Sequence, residues 1–399
     1  MFSPSLPRSV AGAAIAMAVT VASPLTACAQ SSLPGGGSGT GSLGSLAPEQ
    51  PLSPGPEVTV QEVSGGLTIP WDVARDPDGL IITGERGSGT VYAIRQGGER
   101  TRVAADFGEL SNRAESGLMG LALARDFASS REVYTCHSDA AAGDNRVTAW
   151  RAADDWSVLE SPRVLVEGIL LSAQGLHSGC RLLAHPDGTL YVGTGDAFTG
   201  PAPQDLAGLS GKILHVTRTG APAGDTIGDS PVLTYGHRNV QGLALRPDGG
   251  QVVSAEHGPS LDDEVNLVIP GGNYGWDPDT RGRYDQNVPM TDTEAFPAAV
   301  QASWSSGAPT LAPGGIAFLD DPAWGEWDGA LAVAMLKTSQ IVLMKLSADG
   351  RSVTQTASIL KDAHGRLRSI TAEPGGSLLV TTSNGGGTDK ILRISPVAE

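Results

Sequence analysis

Residues 235–276 have the sequence YGHRNVQGLALRPDGGQVVSAEHGPSLDDEVNLVIPGGNYGW, in which short apolar runs flank a Pro-Asp-Gly turn. GLALRPDGGQVVSAE predicts two strands joined by that turn, because proline presets φ and glycine accepts positive φ. The polar side chains near the strand ends are His237, Arg238, Asn239, His257, Asp262, Asp263, Glu264 and Tyr274. Since loops on a rigid scaffold often carry function, the stretch predicts a β-hairpin with a functional site at its end.

The same hairpin pattern recurs along the chain, with insertions between the copies. WDVARDPDG precedes LIITGE, LLAHPDG precedes TLYVGTGD, and ITAEPGG precedes SLLVTTS. Such repetition is typical of a β-propeller, and residues 57–399 suffice for six four-stranded antiparallel blades at roughly 50 residues each. The alternative all-β architecture is a pair of β-sandwiches. Residues 278–306 lack strand periodicity and predict a loop excursion over one mouth of the ring.

Composition supports this all-β prediction and excludes one class of partner. The chain has 53 glycines and 27 prolines, which favour many short strands and turns. Its formal net charge is −16, and lysine and arginine are not clustered. Phosphate binding needs such clusters, so we expect no nucleic-acid partner.

The first 28 residues predict a signal peptide, because Arg8 precedes an apolar run over residues 10–22. The following LTAC ends at Cys28 and resembles a bacterial lipobox, which implies lipidation of that cysteine. The protein would then be exported and held by its lipid at the extracytoplasmic face of the cell membrane. The alternative is a secreted protein cleaved near Ala29. Residues 29–56 are rich in glycine, serine and proline and predict a flexible tether.

Export would leave two cysteines, Cys136 and Cys180, in an oxidising compartment. A lone pair of cysteines there is more often bridged than free, so we expect a disulfide. The alternative is metal binding by both cysteines with His137. A bridge would brace the strand that follows His177.

Three motifs in order, GHRN-x-QGLA, E-x-GP-x-x-DDE-x-N and GGNYGW, resemble those of the soluble sugar dehydrogenases that use pyrroloquinoline quinone (PQQ). That family includes aldose sugar dehydrogenases and soluble glucose dehydrogenases. The resemblance implies a six-bladed propeller that holds PQQ with Ca²⁺, oxidises an aldose at carbon 1 to its lactone, and passes electrons to an acceptor.

His177 is the candidate general base. A carbon 1 hydroxyl donates hydride poorly until its proton is removed, and imidazole suits that task near neutral pH. Taken alone, a histidine is more often a hydrogen-bonded structural residue. The family motif H-x-G-x-R-L matches His177, Gly179, Arg181 and Leu182, and by that resemblance His177 is the base.

A tricarboxylated quinone requires cationic donors for its carboxylates and its reduced oxygens. By resemblance, Arg238 stabilises the reduced oxygen. Arg366 and Arg368 are two residues apart, so if this run is a strand they share one face. Without the resemblance, each charge would be interpreted as a solvated surface residue. The positions that match PQQ-binding positions of the family are Glu115, Arg238, Asn239, Thr310, Lys337, Arg366 and Arg368.

Calcium prefers oxygen ligands, including backbone carbonyls. Gly258 and Pro259 match the family positions whose carbonyls face the cofactor-site calcium. Glu264 and Tyr274 match positions associated with a second, structural calcium. The alternative for residues 262–264 is an acidic surface turn.

Four positions depart from the family pattern. Glu115 replaces a cofactor-contacting glutamine, and an ionised carboxylate there would repel the cofactor unless it were paired or protonated. His257 replaces a glutamine, Ala308 an aromatic residue, and Leu176 an acid that can orient the base. These changes motivate a second hypothesis, a catalytically silent propeller that binds a ligand or protein at the cell envelope. Calcium-assisted hydrolysis of a lactone or ester is a third, although no G-x-S-x-G motif appears.

Overall fold

The structure is a computed structural model that describes residues 52–247 and 250–397. The predicted signal peptide with Cys28 lies outside the described residues, as does most of the predicted tether. No helix among the described residues has the length and apolar character needed to cross a membrane.

Short strands separated by turns make up almost all of the regular structure, as the glycine and proline content predicts. One short α-helix and one 3₁₀ helix interrupt them. In chain order the elements are β1 (Ser53–Pro54), β2 (Val58–Leu67), β3 (Pro70–Arg75), β4 (Ile81–Glu85), β5 (Val91–Ile94), β6 (Arg100–Val103), β7 (Leu118–Leu123), α1 (Phe127–Ser130), β8 (Glu132–Asp139), β9 (Asp144–Ala152), β10 (Leu159–Leu170), β11 (Gly179–Ala184), β12 (Leu190–Thr194), β13 (Lys212–Val216), β14 (Val232–Tyr235), β15 (Val240–Leu245), β16 (Val252–Glu256), β17 (Glu264–Leu267), β18 (Trp304–Ser305), β19 (Pro313–Phe318), the 3₁₀ helix (Pro322–Trp327), β20 (Leu331–Met335), β21 (Gln340–Leu346), β22 (Val353–Ile359), β23 (Leu367–Ala372), β24 (Leu378–Thr382) and β25 (Asp389–Pro396).

These strands form six antiparallel blades, which confirms the predicted six-bladed β-propeller. Blades 1 to 5 contain β3–β6, β7–β10, β11–β14, β15–β18 and β19–β22, and blade 6 contains β23–β25 with β2. The innermost strands β3, β7, β11, β15, β19 and β23 contact one another in that order, and β23 returns to β3. The ring is therefore closed.

Strand β2 closes the ring from the other end of the chain. It pairs antiparallel with β25, from Val58 opposite Pro396 to Leu67 opposite Asp389. This pairing covers an edge of β25 that would otherwise be open to association with another chain. Strand β1 pairs parallel with β22 of blade 5, so paired structure begins at Ser53, within the predicted tether.

The recurring hairpins of the sequence are the two innermost strands of blades 1, 3, 4 and 6. In blades 2 and 5 a short helix lies between the first two strands and hides the repeat. The predicted excursion proved shorter than residues 278–306, because Trp304–Ser305 is β18, the outer strand of blade 4.

The predicted disulfide is present and links two blades. Cys136 on β8 is bonded to Cys180 on β11, with their Cα atoms 5.5 Å apart. Both residues are fully buried in an apolar cluster between blades 2 and 3. The alternative metal site with His137 is therefore wrong, because both sulfur atoms are bonded to each other.

Removing this bridge should lower stability strongly. The two cysteines are separated by 44 residues, and closing a loop of that length in the unfolded chain is worth about 4 kcal/mol. We expect the double substitution Cys136→Ala, Cys180→Ala to reduce the free energy of unfolding by that order, measured in urea. A loss below about 1 kcal/mol would contradict a stabilising role for the bridge.

Candidate active site

The candidate residues meet at one mouth of the central channel. That mouth is formed by the segments that enter each innermost strand and by the loops between the second and third strands of each blade. Residues 277–303, between β17 and β18, reach over it. His177, Arg238 and Arg366 each directly precede or lie close before an innermost strand, so the ring brings distant parts of the chain together.

His177 stands at the entrance to β11 with its backbone in the left-handed region, at φ 52°. Its carbonyl oxygen lies so close to Gly195 that a Cβ added there would come within 2.0 Å of it. A Cβ at Gly179 would similarly meet the backbone of Thr194. The glycine in H-x-G-x-R-L therefore allows the strand that carries His177 to pack tightly against the end of β12.

A buried carboxylate orients this histidine. His177 Nδ1 lies 2.7 Å from Asp196 Oδ1, and Asp196 is fully buried. The carboxylate accepts the Nδ1 proton, so Nε2 carries the lone pair. Within the described residues Nε2 makes no hydrogen bond, which leaves it available to take a proton from a substrate.

Three more donors bind Asp196. Phe198 N donates to Oδ1 at 2.8 Å, while Trp276 Nε1 and Tyr284 OH donate to Oδ2 at 2.8 and 2.6 Å. The sequence did not predict Asp196 as a site residue, although it ends the TGD that follows β12. The Asp196 carboxylate orients His177. An acid at position 176 could have done so, but this chain has Leu176 there.

Arg238 and Asn239 lie close to His177: the Arg238 carbonyl accepts the N–H of Asp196, and Asn239 contacts Gly179. Arg238 donates from Nη1 to His257 O and from Nη2 to Gln286 Oε1, both at 3.0 Å. Its buried Nε has no partner within the described residues. Asn239 Oδ1 accepts the backbone N–H of Gly179 at 3.0 Å, which ties the entrances of β11 and β15 together.

Glu115 is paired rather than isolated. Its Oε2 accepts the backbone N–H of His177 at 3.0 Å and Asn239 Nδ2 at 3.1 Å. Positive charge also faces it, because Arg86 and Arg368 interact electrostatically with its carboxylate. The repulsion expected from this substitution is therefore partly offset by the surrounding donors.

A cavity of about 150 Å³ opens beside Glu115. Both Arg366, which is exposed at its rim, and Arg368, which is buried, line this cavity. Arg86, which the sequence did not reveal, adds a third cation. The residues that line the cavity are Trp71, Arg86, Glu115, Met119, Ser178, Gln241, His257, Ala312, Leu336, Arg366 and Arg368.

The positively charged side chains that line this cavity outnumber the negatively charged ones. Burial, together with the charges of Arg86, Arg181 and Arg366, lowers the pKa of Arg368 to about 9, although Glu115 opposes this. Burial also lowers the pKa of Arg86. A cavity with surplus positive charge and an unpartnered Arg238 Nε fits a polyanionic ligand such as a tricarboxylated quinone.

An ion pair separates this cavity from the other end of the channel. Arg181 Nη1 lies 2.7 Å from Asp72 Oδ2, and both side chains are buried. The Arg181 guanidinium lies over the Trp71 ring at 4.2 Å. A larger cavity of about 620 Å³, lined mainly by apolar residues, occupies the opposite mouth. We place the chemistry at the smaller cavity because the surplus cations line it, and because Glu115, which also lines it, accepts the backbone N–H of His177.

Lys337 and Thr310 meet at the rim of the mouth. Lys337 Nζ donates to Thr310 Oγ1 at 2.9 Å. Neither side chain lines the small cavity, but their neighbours Leu336 and Ala312 do. The two predicted residues are therefore adjacent to the site rather than inside the cavity.

The proposed calcium positions divide into two groups. Gly258 is fixed by Asp263, whose carboxylate accepts the N–H groups of Gly258, Leu311 and Ala312. Within the described residues, the carbonyl oxygens of Gly258 and Pro259 accept no hydrogen bond. These two carbonyls therefore fit a hard cation at the mouth.

Glu264 and Tyr274 lie deeper in blade 4. Burial and the neighbouring Glu256 carboxylate raise the pKa of Glu264 to about 8. Within the described residues its oxygens accept only from Asn266 Nδ2 and Thr291 Oγ1, so a cation bound there would favour the ionised form of Glu264. The Tyr274 hydroxyl donates to Leu267 O, so its side chain is already engaged. Among the described residues, no cluster of three or more His, Cys, Asp or Glu side chains forms a complete metal site.

Comparison with known proteins agrees with this geometry. Residues 67–393 match the model of the family described as Glucose / Sorbosone dehydrogenase. The aldose sugar dehydrogenase YliI of Escherichia coli is 30% identical over 354 residues, which cover 85% of this chain and 93% of that protein.

Solved structures give the same result. The PQQ-bound aldose sugar dehydrogenase of Streptomyces coelicolor is 31% identical, with a TM-score of 0.71, covering 86% of this chain and 99% of that one. A putative oxidoreductase (glucose dehydrogenase) from Thermus thermophilus is 37% identical, with a TM-score of 0.72, covering 85% and 100%. The chain belongs to the glucose/sorbosone dehydrogenase family.

Proposed function

We propose that the protein oxidises an aldose at carbon 1 to its lactone with PQQ and Ca²⁺. The observation that carries this proposal is His177, whose Nδ1 is held by buried Asp196 and whose Nε2 makes no hydrogen bond within the described residues. Its neighbour Ser178 lines the cavity with surplus positive charge. A base and an anion-binding cavity side by side are what proton abstraction coupled to quinone reduction requires.

His177 Nε2 takes the proton of the carbon 1 hydroxyl, and the Asp196 carboxylate stabilises the resulting imidazolium. Bound PQQ would supply the hydride acceptor that oxidation of carbon 1 to the lactone requires. The Nε of Arg238, which has no partner within the described residues, would be the donor for a cofactor oxygen.

Several cations would hold the cofactor carboxylates. Arg368 and Arg366 act from the cavity wall and rim, and Arg86 adds a third guanidinium. Lys337, with Thr310, and Asn239 contribute further donors at the mouth. Glu115 reduces the positive charge and fixes the backbone of His177.

Calcium would bind at two places. The carbonyls of Gly258 and Pro259 would ligate the cation beside the cofactor, and Glu264 with the backbone of Tyr274 would ligate a structural one. We expect millimolar Ca²⁺ to raise the thermal unfolding midpoint of the cofactor-free protein, because a cation bound only by the folded state stabilises it. Glu264→Gln should abolish most of that increase, with Asp154→Asn at an exposed site as the control. An equal calcium response in both variants would exclude Glu264 as a ligand.

We also propose that the protein is exported and lipid-anchored through Cys28 at the extracytoplasmic face of the membrane, where it would pass electrons to an acceptor. The sequence of residues 1–28 supports this. Radiolabelled palmitate should be incorporated into the expressed protein and not into its Cys28→Ser variant.

Calorimetric titration of the purified protein with PQQ and Ca²⁺, followed by dye-linked oxidation of a panel of mono- and disaccharides, tests the catalytic proposal. We expect stoichiometric binding and turnover of at least one aldose. Absence of both PQQ binding and sugar oxidation would reject it.

The silent-propeller alternative rests on Glu115 and is tested by Glu115→Gln. Both hydrogen bonds of Glu115 end on one oxygen, so a glutamine oxygen can accept them while the negative charge is removed. A competent enzyme should show a change in PQQ affinity of less than about tenfold, because the carboxylate is already compensated. A variant that gains PQQ binding and sugar oxidation absent from the native protein would establish the silent alternative.

A further inference from the structure

The mechanism above does not use the half-buried phenol of Tyr284. This residue lies within residues 277–303, which belong to no blade. Its hydroxyl nevertheless donates a hydrogen bond to the Asp196 carboxylate, which orients His177. We propose that Tyr284 is a positioning residue that acts on His177 through Asp196, by donating to the same carboxylate that holds the His177 ring. This inference rests on the proposed role of His177.

The geometry around Asp196 leads to this proposal. Tyr284 OH lies 2.6 Å from Asp196 Oδ2 and 3.3 Å from His177 Nδ1. Because a carboxylate can only accept, the phenol donates to it. Burial and the negative charge of Asp196 raise the pKa of Tyr284, so the phenol stays protonated as a donor.

Tyr284 differs from the other donors to Asp196 in how it is held. His177, Phe198 and Trp276 lie in segments tied directly to the blade framework. The Tyr284 ring instead stacks on Phe198, with ring centres 4.0 Å apart and planes 22° apart. The Phe198 ring in turn meets the His177 ring edge-on at 5.2 Å. The stacking of Tyr284 on Phe198 thus holds the Tyr284 hydroxyl of this loop close to His177.

The direction of the effect follows from the charge on Asp196. The hydrogen bond from the Tyr284 hydroxyl to Asp196 Oδ2 reduces the negative potential at His177. The carboxylate therefore stabilises the His177 imidazolium less. Loss of that donor should raise the pKa of His177. The other charged groups that face the dyad are Glu115, through the His177 backbone, and Arg238, whose carbonyl accepts the Asp196 N–H. Neither changes when Tyr284 loses its hydroxyl.

The test is an NMR titration of ¹³C-labelled histidine in the cofactor-free protein, with the His177 signal assigned from His177→Gln. In Tyr284→Phe the titration midpoint of His177 should rise by about half a pH unit. Tyr92→Phe, in the outer half of blade 1, is the matched control and should leave the midpoint unchanged. An unchanged or lower midpoint in Tyr284→Phe would overturn the proposal.

A second comparison isolates the route through the carboxylate. In an Asp196→Asn background, adding Tyr284→Phe should shift the His177 midpoint by less than half as much as in the native background. An equal shift in both backgrounds would refute action through Asp196. In active protein, the acid limb of the kcat/KM profile should move upward with the midpoint. Because the NMR measurement needs neither cofactor nor sugar, absence of sugar oxidation would reject the proposed function and leave the test of Tyr284 intact.

Discussion

Replacing His177 with alanine is expected to lower kcat for aldose oxidation by about 10²–10⁴-fold, the usual contribution of a positioned general base. The substitution removes the only group placed to take the hydroxyl proton in the proposed mechanism. Affinity for PQQ should stay within a few-fold, because the cations that line the cavity are unchanged. Steady-state kinetics and calorimetry would measure the two quantities separately.

His185→Ala is the matched control for this experiment. His185 follows β11 at the opposite end of that strand, paired with Asp187, so its loss should leave kcat unchanged within a factor of about two. Equal losses in the two variants would indicate general destabilisation, and retention of full activity by His177→Ala would eliminate the proposed base.

Arg368→Gln is expected to weaken PQQ binding by about 10–100-fold, the effect of one hydrogen bond to a charged group. The same change should stabilise the cofactor-free protein. The folded state lowers the pKa of Arg368 to about 9 through burial and neighbouring arginines, so its positive charge is less favourable in the folded state than in the unfolded chain. That cost is fully present below pH 9 and declines only as the guanidinium deprotonates.

Calorimetry with PQQ and urea unfolding without it would check the two effects. Arg95→Gln, at an exposed turn of blade 1, should change neither. Unaltered PQQ affinity in Arg368→Gln would remove this residue from the cofactor site. Weaker affinity with a clear loss of stability would show that the substitution acts through the fold.

The sequence predicted the architecture because the hairpin pattern is local. In blades 1, 3, 4 and 6 a short polar turn joins two apolar strands, and both periodicity and turn chemistry are visible in fewer than twenty residues. The hairpins of blades 2 and 5 were not detected in the sequence, because α1 and the 3₁₀ helix replace the turn. Strand β18 was also not predicted, because a two-residue strand after a long loop has no periodicity to detect.

The site was predicted only in part because its remaining members depend on tertiary proximity. Asp196 lies nineteen residues after His177 and becomes its partner only when β11 and β12 pair. Arg86 and Tyr284 come from elements further away along the chain and follow no motif. Glu115 was recognised as a departure, but its hydrogen bonds to His177 and Asn239 required the closed ring.

Anaerobic absorbance of the PQQ- and Ca²⁺-loaded protein on addition of glucose tests the central claim most directly, with other aldoses added in turn. The proposed chemistry predicts one equivalent of reduced cofactor per site with a matching aldose, formed rapidly by the native protein and at least about 10²-fold more slowly by His177→Ala. Stoichiometric PQQ binding without reduction by any aldose, or equal reduction rates in the two proteins, would contradict it.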